Sequence, residues 1–295
     1  MPILKWVGGK GQMLDRIMEH VPNEIRVYRE PFLGGGAVLL EVLRKCRAGE
    51  MRVDRFEVGD SNRHLVSMYE AVRDRPTELK EELETMRDEY TRAPPVRWSR
   101  ETHALLDLSD KESCISAGKA YYYYHVRERF NAEPTPARFV FLNKTGFRGM
   151  YRESKHGVFN VPFGNYANPL VCPTKEIDDL HVLLAEFGVQ VRCETFEESL
   201  ARAGPGDFIY VDPPYYDTFT AYTSSGFGPE AQAVLRVALD RARVTGAGWM
   251  ASNSDCLGVR SLYEGCEMEE ILAKRKIHSK KPGSMAGELL IFDAL

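Results

Sequence analysis

The sequence predicts an α/β fold: a mostly parallel sheet covered by helices, with a helical and loop-rich block inserted into it. Two observations support this expectation. Within the first 60 residues, a strand, a glycine-rich loop, an apolar helix and a second strand follow one another, and the second strand ends in an acid. Beyond Pro173, helices and strands alternate again up to Phe292. Such alternation is typical of parallel sheets with helices on both faces.

The elements before the inserted block follow from periodicity and turn residues. Helices are predicted at 12–20 and 37–46, and strands at 26–30 and 55–60. Gly34, Gly35 and Gly36 form the loop between the first strand and the second helix. This order predicts the opening half of a nucleotide-binding α/β sheet.

The inserted block reads differently. The spacing of apolar residues between 62 and about 130 predicts charged helices, and proline-rich breaks interrupt them. A helix distributes the four tyrosines at 121–124 around its axis, so we expect them to pack the helices together. Residues 139–166 are rich in glycine, asparagine, aromatic and basic residues, which predicts an ordered loop or hairpin rather than a helix.

The alternation then resumes. Predicted helices at 174–187, 197–203 and 229–243 are interleaved with predicted strands at 189–193, 208–211, 248–253 and 288–292. We therefore expect one α/β domain from residues 1–62 and 173–295, with a second domain, residues 63–172, inserted into it.

Composition limits the class of protein. The 295 residues are 43% hydrophobic and 28% charged, which is typical of a globular protein in water. The six cysteines include no C-x-x-C pair, which disfavours a zinc site or redox motif and indicates a reducing compartment. No apolar segment is long enough for a signal or a bilayer span, so the expected location is cytoplasmic, with no membrane partner.

Charge is distributed unevenly. The net charge of −4 excludes a globally basic nucleic-acid binder but not a locally basic surface. Residues 138–155 carry five basic side chains against one acidic one, and residues 274–281 carry five basic side chains and a histidine. Both runs contain or adjoin glycines, which suits loops that approach a phosphate backbone. A solvated loop explains the second run equally well.

The tetrapeptide Asp212-Pro213-Pro214-Tyr215 follows a buried apolar strand. Open α/β sheets bind ligands at the carboxyl ends of their strands. The two prolines stiffen the turn and remove two backbone donors, which leaves a carboxylate, a carbonyl and an aromatic ring close together. Two acceptors beside a ring suit a flat group that carries an amino substituent. A solvent-exposed turn is the alternative for this tetrapeptide alone.

The glycine loop and Asp60 predict a second binding feature. Adjacent glycines allow positive φ and close approach of backbone to a ligand, and a helix start follows them. Asp60, 24 residues after Gly36, ends the next strand, where an acid commonly accepts hydrogen bonds from ribose hydroxyls. The glycine loop and Asp60 together predict an adenosine-containing ligand, which would be either a dinucleotide or S-adenosylmethionine. The spacing matches neither a P-loop nor G-x-G-x-x-G, and zinc-deaminase and metalloprotease motifs are absent, so no metal is expected.

Six segments in one order carry a family resemblance: 4–10 (LKWVGGK), 30–36 (EPFLGGG), 59–60 (GD), 142–152 (LNKTGFRGMYR), 159–164 (FNVPFG) and 212–215 (DPPY). Together they resemble the Dam-type DNA adenine-N6 methyltransferases, the D12 class with its recognition domain between the cofactor and catalytic motifs. The resemblance implies a Rossmann-like S-adenosylmethionine-dependent methyltransferase sheet with an inserted helical and hairpin target-recognition domain.

The resemblance also implies residue roles. The predicted cofactor-binding residues, which would enclose S-adenosylmethionine and release S-adenosylhomocysteine, are Trp6, Lys10, Glu30, Phe32, Gly34, Gly36, Asp60, Thr195, Phe196 and Asp212. Asp212 and the Pro213 carbonyl would accept the two N6 hydrogens of a flipped adenine, Pro214 completes the motif, and Tyr215 would stack on the base. Such hydrogen bonds would localise the amino lone pair and stabilise developing positive charge.

For the DNA, the family pattern implies a reading hairpin. The predicted DNA-binding residues are Lys5, Lys144, Phe147, Arg148, Met150, Arg152 and Pro162. Phe147 would insert into the duplex, and Arg152 would read a guanine, a contact worth about 1–3 kcal/mol of discrimination. Arg148 stands where the best-known members carry an asparagine, which leaves the central bases open. GATC is the leading target.

Rival functions remain at this point. The same pocket would accept adenine in RNA or cytosine N4, and the fold alone would suit a catalytically silent DNA-binding protein. The intact Asp212 motif beside an intact glycine loop disfavours the silent protein, and the glycine spacing disfavours a nicotinamide-dependent oxidoreductase. A monomer on duplex DNA is expected, and a cognate restriction endonuclease is an open partner.

Overall fold

The computed structural model describes residues 2–6, 8–216, 227–274 and 285–293. The chain divides into two compact units. The sheet unit comprises residues 8–66 and 183–295, and the helical unit comprises residues 1–7 and 67–182. The functional roles expected for the two regions stay predictions.

The sheet unit contains a seven-stranded sheet. Its strands in chain order are β1 (Glu24–Glu30), β2 (Arg52–Asp60), β3 (Gln190–Cys193), β4 (Phe208–Val211), β5 (Gly248–Ser254), β6 (Glu267–Lys274) and β7 (Met285–Phe292). They lie in the order β3-β2-β1-β4-β5-β7-β6. The first five strands pair in parallel, and β7 is antiparallel to both β5 and β6. The predicted α/β class is confirmed, and the sheet is Rossmann-like.

Strand order creates a switch point between β1 and β4. From β1 the chain builds outward to β2 and β3, whereas from β4 it builds outward in the opposite direction. In open α/β sheets such a point leaves a crevice at the carboxyl ends of the two strands, and ligands bind there. Glu30 ends β1 and Asp212 directly follows β4, so both acids lie where this rule expects a ligand.

Helices cover the sheet and build the other unit. In the described residues they are α1 (Leu14–His20), α2 (Ala37–Arg47), α3 (Arg63–Asp74), α4 (Pro76–Arg92), α5 (Arg100–Leu105), α6 (Lys111–Ala117), α7 (Lys119–Ala132), α8 (Pro136–Thr145), α9 (Thr174–Glu186), α10 (Phe196–Leu200), α11 (Pro229–Val244) and α12 (Leu257–Leu262). None of these described helices has the length and apolarity that crossing a bilayer requires.

Burial explains the sheet core. Alternate residues of β4, β5 and β7 point toward α11 and pack against it. Ile209, Trp249 and Leu289 on these strands and Leu235 on α11 are all buried. Because the parallel strands are covered, their apolar runs match the pattern expected of buried parallel strands. This packing fixes the strand ends on which the acidic residues stand.

The helical unit corrects one expectation. Residues 139–145 belong to α8, not to a loop. Thr135 caps this helix by accepting from the Arg138 N–H, and Pro136 occupies the first turn, where its missing N–H costs nothing. This helix start was not predicted because the aromatic and polar residues after it are typical of a loop or hairpin. A short 3-10 turn, Phe147–Gly149, follows, with bridges between Gly146 and Phe163 and between Glu153 and Phe159.

The tyrosine run behaves as expected. It lies on α7, where Tyr121, Tyr122 and Tyr123 are almost fully buried. Tyr122 packs edge-on against Phe141 of α8. The prediction that these side chains pack the helices together is confirmed. Strand β6 and helix α12 were not predicted.

Candidate active site and nucleic-acid interface

The carboxylate of Asp212 stands at the carboxyl end of β4 and is paired with a buried lysine. Lys10 Nζ lies 2.7 Å from Asp212 Oδ2. The lysine is only 4% exposed and also donates to the Gly8 carbonyl at 2.7 Å. Its ammonium lies 4.9 Å from the centroid of the Tyr215 ring, within cation–π range. The structure thus brings together Lys10, Asp212 and Tyr215, which sequence reasoning assigned to cofactor and base binding.

Side chains from two neighbouring elements hold the turn that contains Asp212. Gln232 on α11 donates its amide to the Pro214 carbonyl at 2.8 Å. Asn253 on β5 accepts from the Tyr216 N–H at 3.2 Å and donates to Gln232 at 3.1 Å. Gln232 and Asn253 are fully buried. The two prolines restrict the backbone torsions of the turn, and the buried hydrogen bonds hold the same backbone in place.

The Tyr215 ring has its own anchor. Its hydroxyl donates to Glu288 Oε2 on β7 at 2.6 Å. Gln232, Asn253 and Glu288 were not among the predicted site residues. The one visible signal for Glu288 was an acid within the apolar strand sequence Glu288–Phe292.

The acidic groups near the ends of β1 and β4 make this part of the site favourable for a positively charged ligand. Burial raises the pKa of Asp212 to about 6, Lys10 opposes that rise, and the Glu288 carboxylate adds to it. Burial raises the pKa of Glu30 to about 8, although Tyr28 donates a hydrogen bond to it at 2.8 Å. Asp212 is thus linked electrostatically to Lys10, Glu30 and Glu288, and a further positive charge would stabilise the ionised forms of the three acids.

The glycine loop is tied to Asp60. Gly34 and Gly36 have φ of 48° and 65°, a left-handed conformation that favours glycine. The Gly34 N–H donates to Asp60 Oδ2 at 3.0 Å, and the Asn62 N–H donates to the other oxygen at 2.9 Å. Burial nonetheless raises the pKa of Asp60. Gly36 precedes α2 without a side-chain cap, and the Leu39 N–H in the first turn of that helix bonds the Glu30 carboxyl group instead.

An aromatic cluster lies beside this loop. The rings of Phe32 and Phe196 stack with centroids 5.5 Å apart. Phe227, which was not predicted, meets both rings edge-on at 5.5 and 5.8 Å. Thr195 caps α10 in a reciprocal pair with Glu198, so its hydroxyl already has a structural partner. The cluster offers flat apolar surface suitable for a planar ring.

Trp6 belongs to the helical unit, whereas the other predicted cofactor residues belong to the sheet unit. Its ring stacks on Tyr151 with centroids 6.3 Å apart and meets Phe139 at a tilt. Its predicted part in cofactor binding stays a prediction.

One asparagine organises the predicted reading segment of the helical unit. Asn143 Oδ1 accepts from the Lys5 N–H at 2.9 Å, and its amide donates to the Lys5 and Gly149 carbonyls at 2.8 and 2.9 Å. The chain at Lys5 passes so close to Gly149 that a Cβ on Gly149 would be 2.4 Å from Lys5 Cβ. Lys5 Nζ reaches the Lys144 carbonyl and stands 3.8 Å from the Tyr166 ring centroid.

The predicted DNA-binding side chains differ in exposure. Phe147 is 43% exposed, and the Arg148 guanidinium lies 5.1 Å from its ring centroid. Arg148 has φ of 55°, which is unusual for a residue with a side chain. Lys144 is only 8% exposed, and burial, with the nearby charge of Lys5, lowers its pKa to about 8.

The remaining predicted contacts lie on the same segment. Arg152 donates to the side chain and carbonyl of Asn160 at 2.6 and 3.3 Å. Met150 is half-buried and Pro162 is exposed, and the Pro162 carbonyl accepts from the Phe147 N–H. The basic run at 274–281 lies outside the described residues, apart from the backbone of Lys274.

Comparison with known proteins now identifies the family. Residues 6–279 match the family model described as D12 class N6 adenine-specific DNA methyltransferase. The chain is 34% identical to the type II methyltransferase M.MjaIII of Methanocaldococcus jannaschii, over 99% of this chain and 98% of that one. It is 31% identical to the DNA adenine methylase of Escherichia coli K12, over 94% and 88% of the two chains. A type II methyltransferase of Lactococcus lactis, M1.LlaDCHI, is 29% identical over 93% and 88%. The chain therefore belongs to the D12 class of N6 adenine-specific DNA methyltransferases, enzymes that methylate adenine in DNA with S-adenosylmethionine as methyl donor.

Proposed function

We propose that this enzyme methylates N6 of an adenine that is flipped out of duplex DNA, and that its target sequence is GATC. The observation that carries the proposal is the Asp212 carboxylate at the end of β4, three residues before the anchored ring of Tyr215. An adenine inside a duplex cannot reach a carboxylate at a strand end, so the base has to leave the stack. Stacking on Tyr215 offsets part of that cost.

Asp212 and the Pro213 carbonyl act on the amino group as two acceptors. Accepting both N6 hydrogens localises the nitrogen lone pair and aligns it for attack. As the new N–C bond forms, N6 gains positive charge, which the Asp212 carboxylate stabilises. The extra N6 proton then leaves through the hydrogen bond to Asp212. Because a carboxylate has two oxygens, Oδ1 is able to accept while Oδ2 stays with Lys10.

The residues of the glycine loop fit the proposed cofactor. When bound, S-adenosylmethionine supplies an electrophilic methyl group on a sulfonium and leaves as S-adenosylhomocysteine. Gly34 and Gly36 leave room for close backbone approach, and Asp60 keeps lone pairs for ribose hydroxyls beyond its two backbone partners. Phe32 and Phe196 offer a face to the adenine ring. Lys10 and Glu30 complete the proposed cofactor surroundings, together with Thr195 and Trp6.

For the DNA, we assign target recognition to residues 63–172. Phe147 is the exposed aromatic side chain suited to fill the gap that the flipped base leaves. Arg152 presents a planar guanidinium for a guanine, and its contacts with Asn160 pre-orient it. Lys5, Lys144, Arg148, Met150 and Pro162 are the further contacts that we propose.

The first test is methyl transfer from labelled S-adenosylmethionine to matched duplexes with GATC and with the same bases scrambled. Nucleoside analysis should find N6-methyladenine only in the GATC duplex. Methylation of both duplexes would refute the target sequence but keep the chemistry. Labelled N4-methylcytosine, or methylation of an RNA duplex in place of DNA, would refute the acceptor.

The catalytic assignment has its own test. Asp212→Ala should lower turnover by about a hundredfold to a thousandfold, the scale on which single oxyanion-type contacts act, while cofactor binding by calorimetry stays within a few-fold. Asp240→Asn removes a surface partner of Arg236 in the same unit and serves as the matched control. Turnover by Asp212→Ala at the rate of this control would remove the carboxylate from the mechanism.

Assembly is a separate part of the proposal. We infer that a monomer acts on the duplex and that a cognate restriction endonuclease accompanies it, because two of the relatives are named type II methyltransferases. Analytical ultracentrifugation of the enzyme alone and on a GATC duplex measures the first point. A dimer in both samples would overturn it.

A further inference from the structure

A carboxylate on the antiparallel strand β7 reaches into the proposed base-binding site. Glu288 Oε2 accepts from the Tyr215 hydroxyl at 2.6 Å, although 73 residues separate the two in sequence. In the strand register Glu288 pairs with Ser254 of β5 on one side and with Ile271 of β6 on the other. Both neighbouring strands are part of the sheet, so the backbone position of Glu288 is fixed on two sides.

The chemical context makes this acid unusual for its strand. The following residues Leu289, Leu290 and Ile291 are fully buried. Among the described residues, no lysine or arginine is paired with Glu288, so it does not serve as one half of an ion pair there. An acid beside a buried apolar run costs desolvation unless a donor compensates it, and the Tyr215 hydroxyl is such a donor.

The hydrogen bond to Glu288 acts on the Tyr215 side chain, whereas the buried amides of Gln232 and Asn253 act on the backbone of the turn. Gln232 and Asn253 bind backbone atoms of Pro214 and Tyr216, so they fix the main chain but not the side-chain torsions of Tyr215. Lys10 lies over the ring face, a non-directional contact at 4.9 Å. A hydrogen bond at the far end of the ring fixes the position of that end. Because the phenolic O–H lies in the plane of the ring, the direction of the bond also favours one ring plane.

We propose that Glu288 is a positioning residue that holds the Tyr215 ring in the plane required for stacking on the target base. The inference rests on the proposed function, since it takes Tyr215 as the stacking partner. A second effect follows from the same location: the negative charge of Glu288 raises the pKa of Asp212. Glu288 therefore acts on the reaction through two residues, by a hydrogen bond on Tyr215 and by charge on Asp212.

The test compares Glu288→Ala, Glu288→Gln and Tyr215→Phe, with Tyr215→Phe/Glu288→Ala as the double variant. Glu267→Ala, an exposed acid at the start of neighbouring β6, is the matched control. Tyr215→Phe keeps the ring and removes only the hydroxyl. We expect Glu288→Ala and Tyr215→Phe each to lower kcat on a GATC duplex on the order of tenfold, with the KM for cofactor unchanged. The double variant should lose no more than either single change.

Glutamine separates the two effects. Its side-chain oxygen still accepts from the tyrosine, so Glu288→Gln should restore kcat to within about threefold of wild type. It lacks the charge, so its acidic pH–rate limb should move to lower pH, whereas that of Tyr215→Phe should stay in place. The fluorescence of 2-aminopurine at the target position reports base flipping in each variant.

The outcomes are distinguishable. If wild type methylates the duplex but Glu288→Ala matches the Glu267→Ala control, the positioning role is wrong. Additive losses in the double variant, or a glutamine variant as slow as the alanine variant, would also overturn it. If wild type fails to methylate the duplex, the proposed function fails instead.

Discussion

At the scale of single residues, the site depends on how the half-buried carboxylate of Asp212 is kept ionised. Asp212 is half-buried at a strand end, and this partial burial raises its pKa. The Lys10 ammonium lowers it again, leaving a value of about 6. An ionised carboxylate is the better acceptor for an N–H group. The lysine therefore protects the acceptor at neutral pH, while the surplus of carboxyl groups keeps the site attractive to cations.

This balance predicts a pH dependence. Single-turnover methylation at saturating cofactor and DNA should fall as the pH falls through about 6, because Asp212 then becomes protonated. Lys10→Gln removes the group that lowers the pKa, so its acidic limb should move to higher pH, opposite to the shift expected for Glu288→Gln. A rate profile that is flat between pH 5 and 8, or a Lys10→Gln limb at lower pH, would contradict this account.

At the scale of elements, most strands and most helices were predictable because their signals are local. Apolar runs, a glycine loop and acids at strand ends all lie within short windows of sequence. Helix α8 was missed because its aromatic and polar composition resembles that of the following hairpin, although Thr135 and Pro136 form a start signal. Strand β6 has no comparable alternation, and its pairing with β7 supplies what local sequence does not.

The predicted site was incomplete for a physical reason. Motifs identify residues that touch ligands, whereas the residues that hold them are reached through the fold. Glu288 and Asn143 find their partners 73 and 138 positions away in sequence. Gln232 looks like any polar residue on an amphipathic helix, and only burial at the Pro214 carbonyl distinguishes it.

The segment after α8 gives a prediction at this scale. Gly149 has φ of 64°, and a Cβ there would lie 2.4 Å from Lys5 Cβ. Gly157 has φ of 73° in the same unit, with no atom within 4 Å of its added Cβ. Gly157→Ala should therefore cost only the left-handed backbone penalty of about 1–2 kcal/mol. Gly149→Ala carries the same penalty and also separates Lys5 from its Asn143 contacts.

The comparison is made by urea unfolding of both variants with wild type. Gly149→Ala should be less stable than Gly157→Ala by at least about 1 kcal/mol, the cost of one lost buried hydrogen bond. Equal losses in the two variants would mean that the Lys5 backbone moves aside freely. In that case Asn143 would not be what orders this segment.

At the scale of the whole molecule, a chain with net charge −4 has to bind a polyanion through local surfaces. Overall repulsion is screened beyond a Debye length of about 8 Å at physiological salt, so nearby basic side chains decide the contact. Of the five basic side chains at 138–155, Lys144 is buried and Arg138 is paired with Glu133, which leaves Arg148, Arg152 and Lys155 for such contacts. Some of these should read bases, and others should only neutralise phosphates.

Two neighbouring cations separate these roles. Arg152 is half-buried and pre-oriented by Asn160, which suits a base contact, whereas Lys155 is exposed and suits a phosphate contact. Arg152→Ala should lower the preference for GATC over single-substituted sites by about 1–3 kcal/mol. Lys155→Ala should weaken binding to every sequence alike and lower the slope of log K against log salt by about one. Fluorescence anisotropy with both duplex sets, between 50 and 200 mM salt, measures both quantities. If Arg152→Ala weakened all sequences equally and changed the salt slope like Lys155→Ala, Arg152 would be a phosphate contact, and guanine recognition would belong to another residue of the segment.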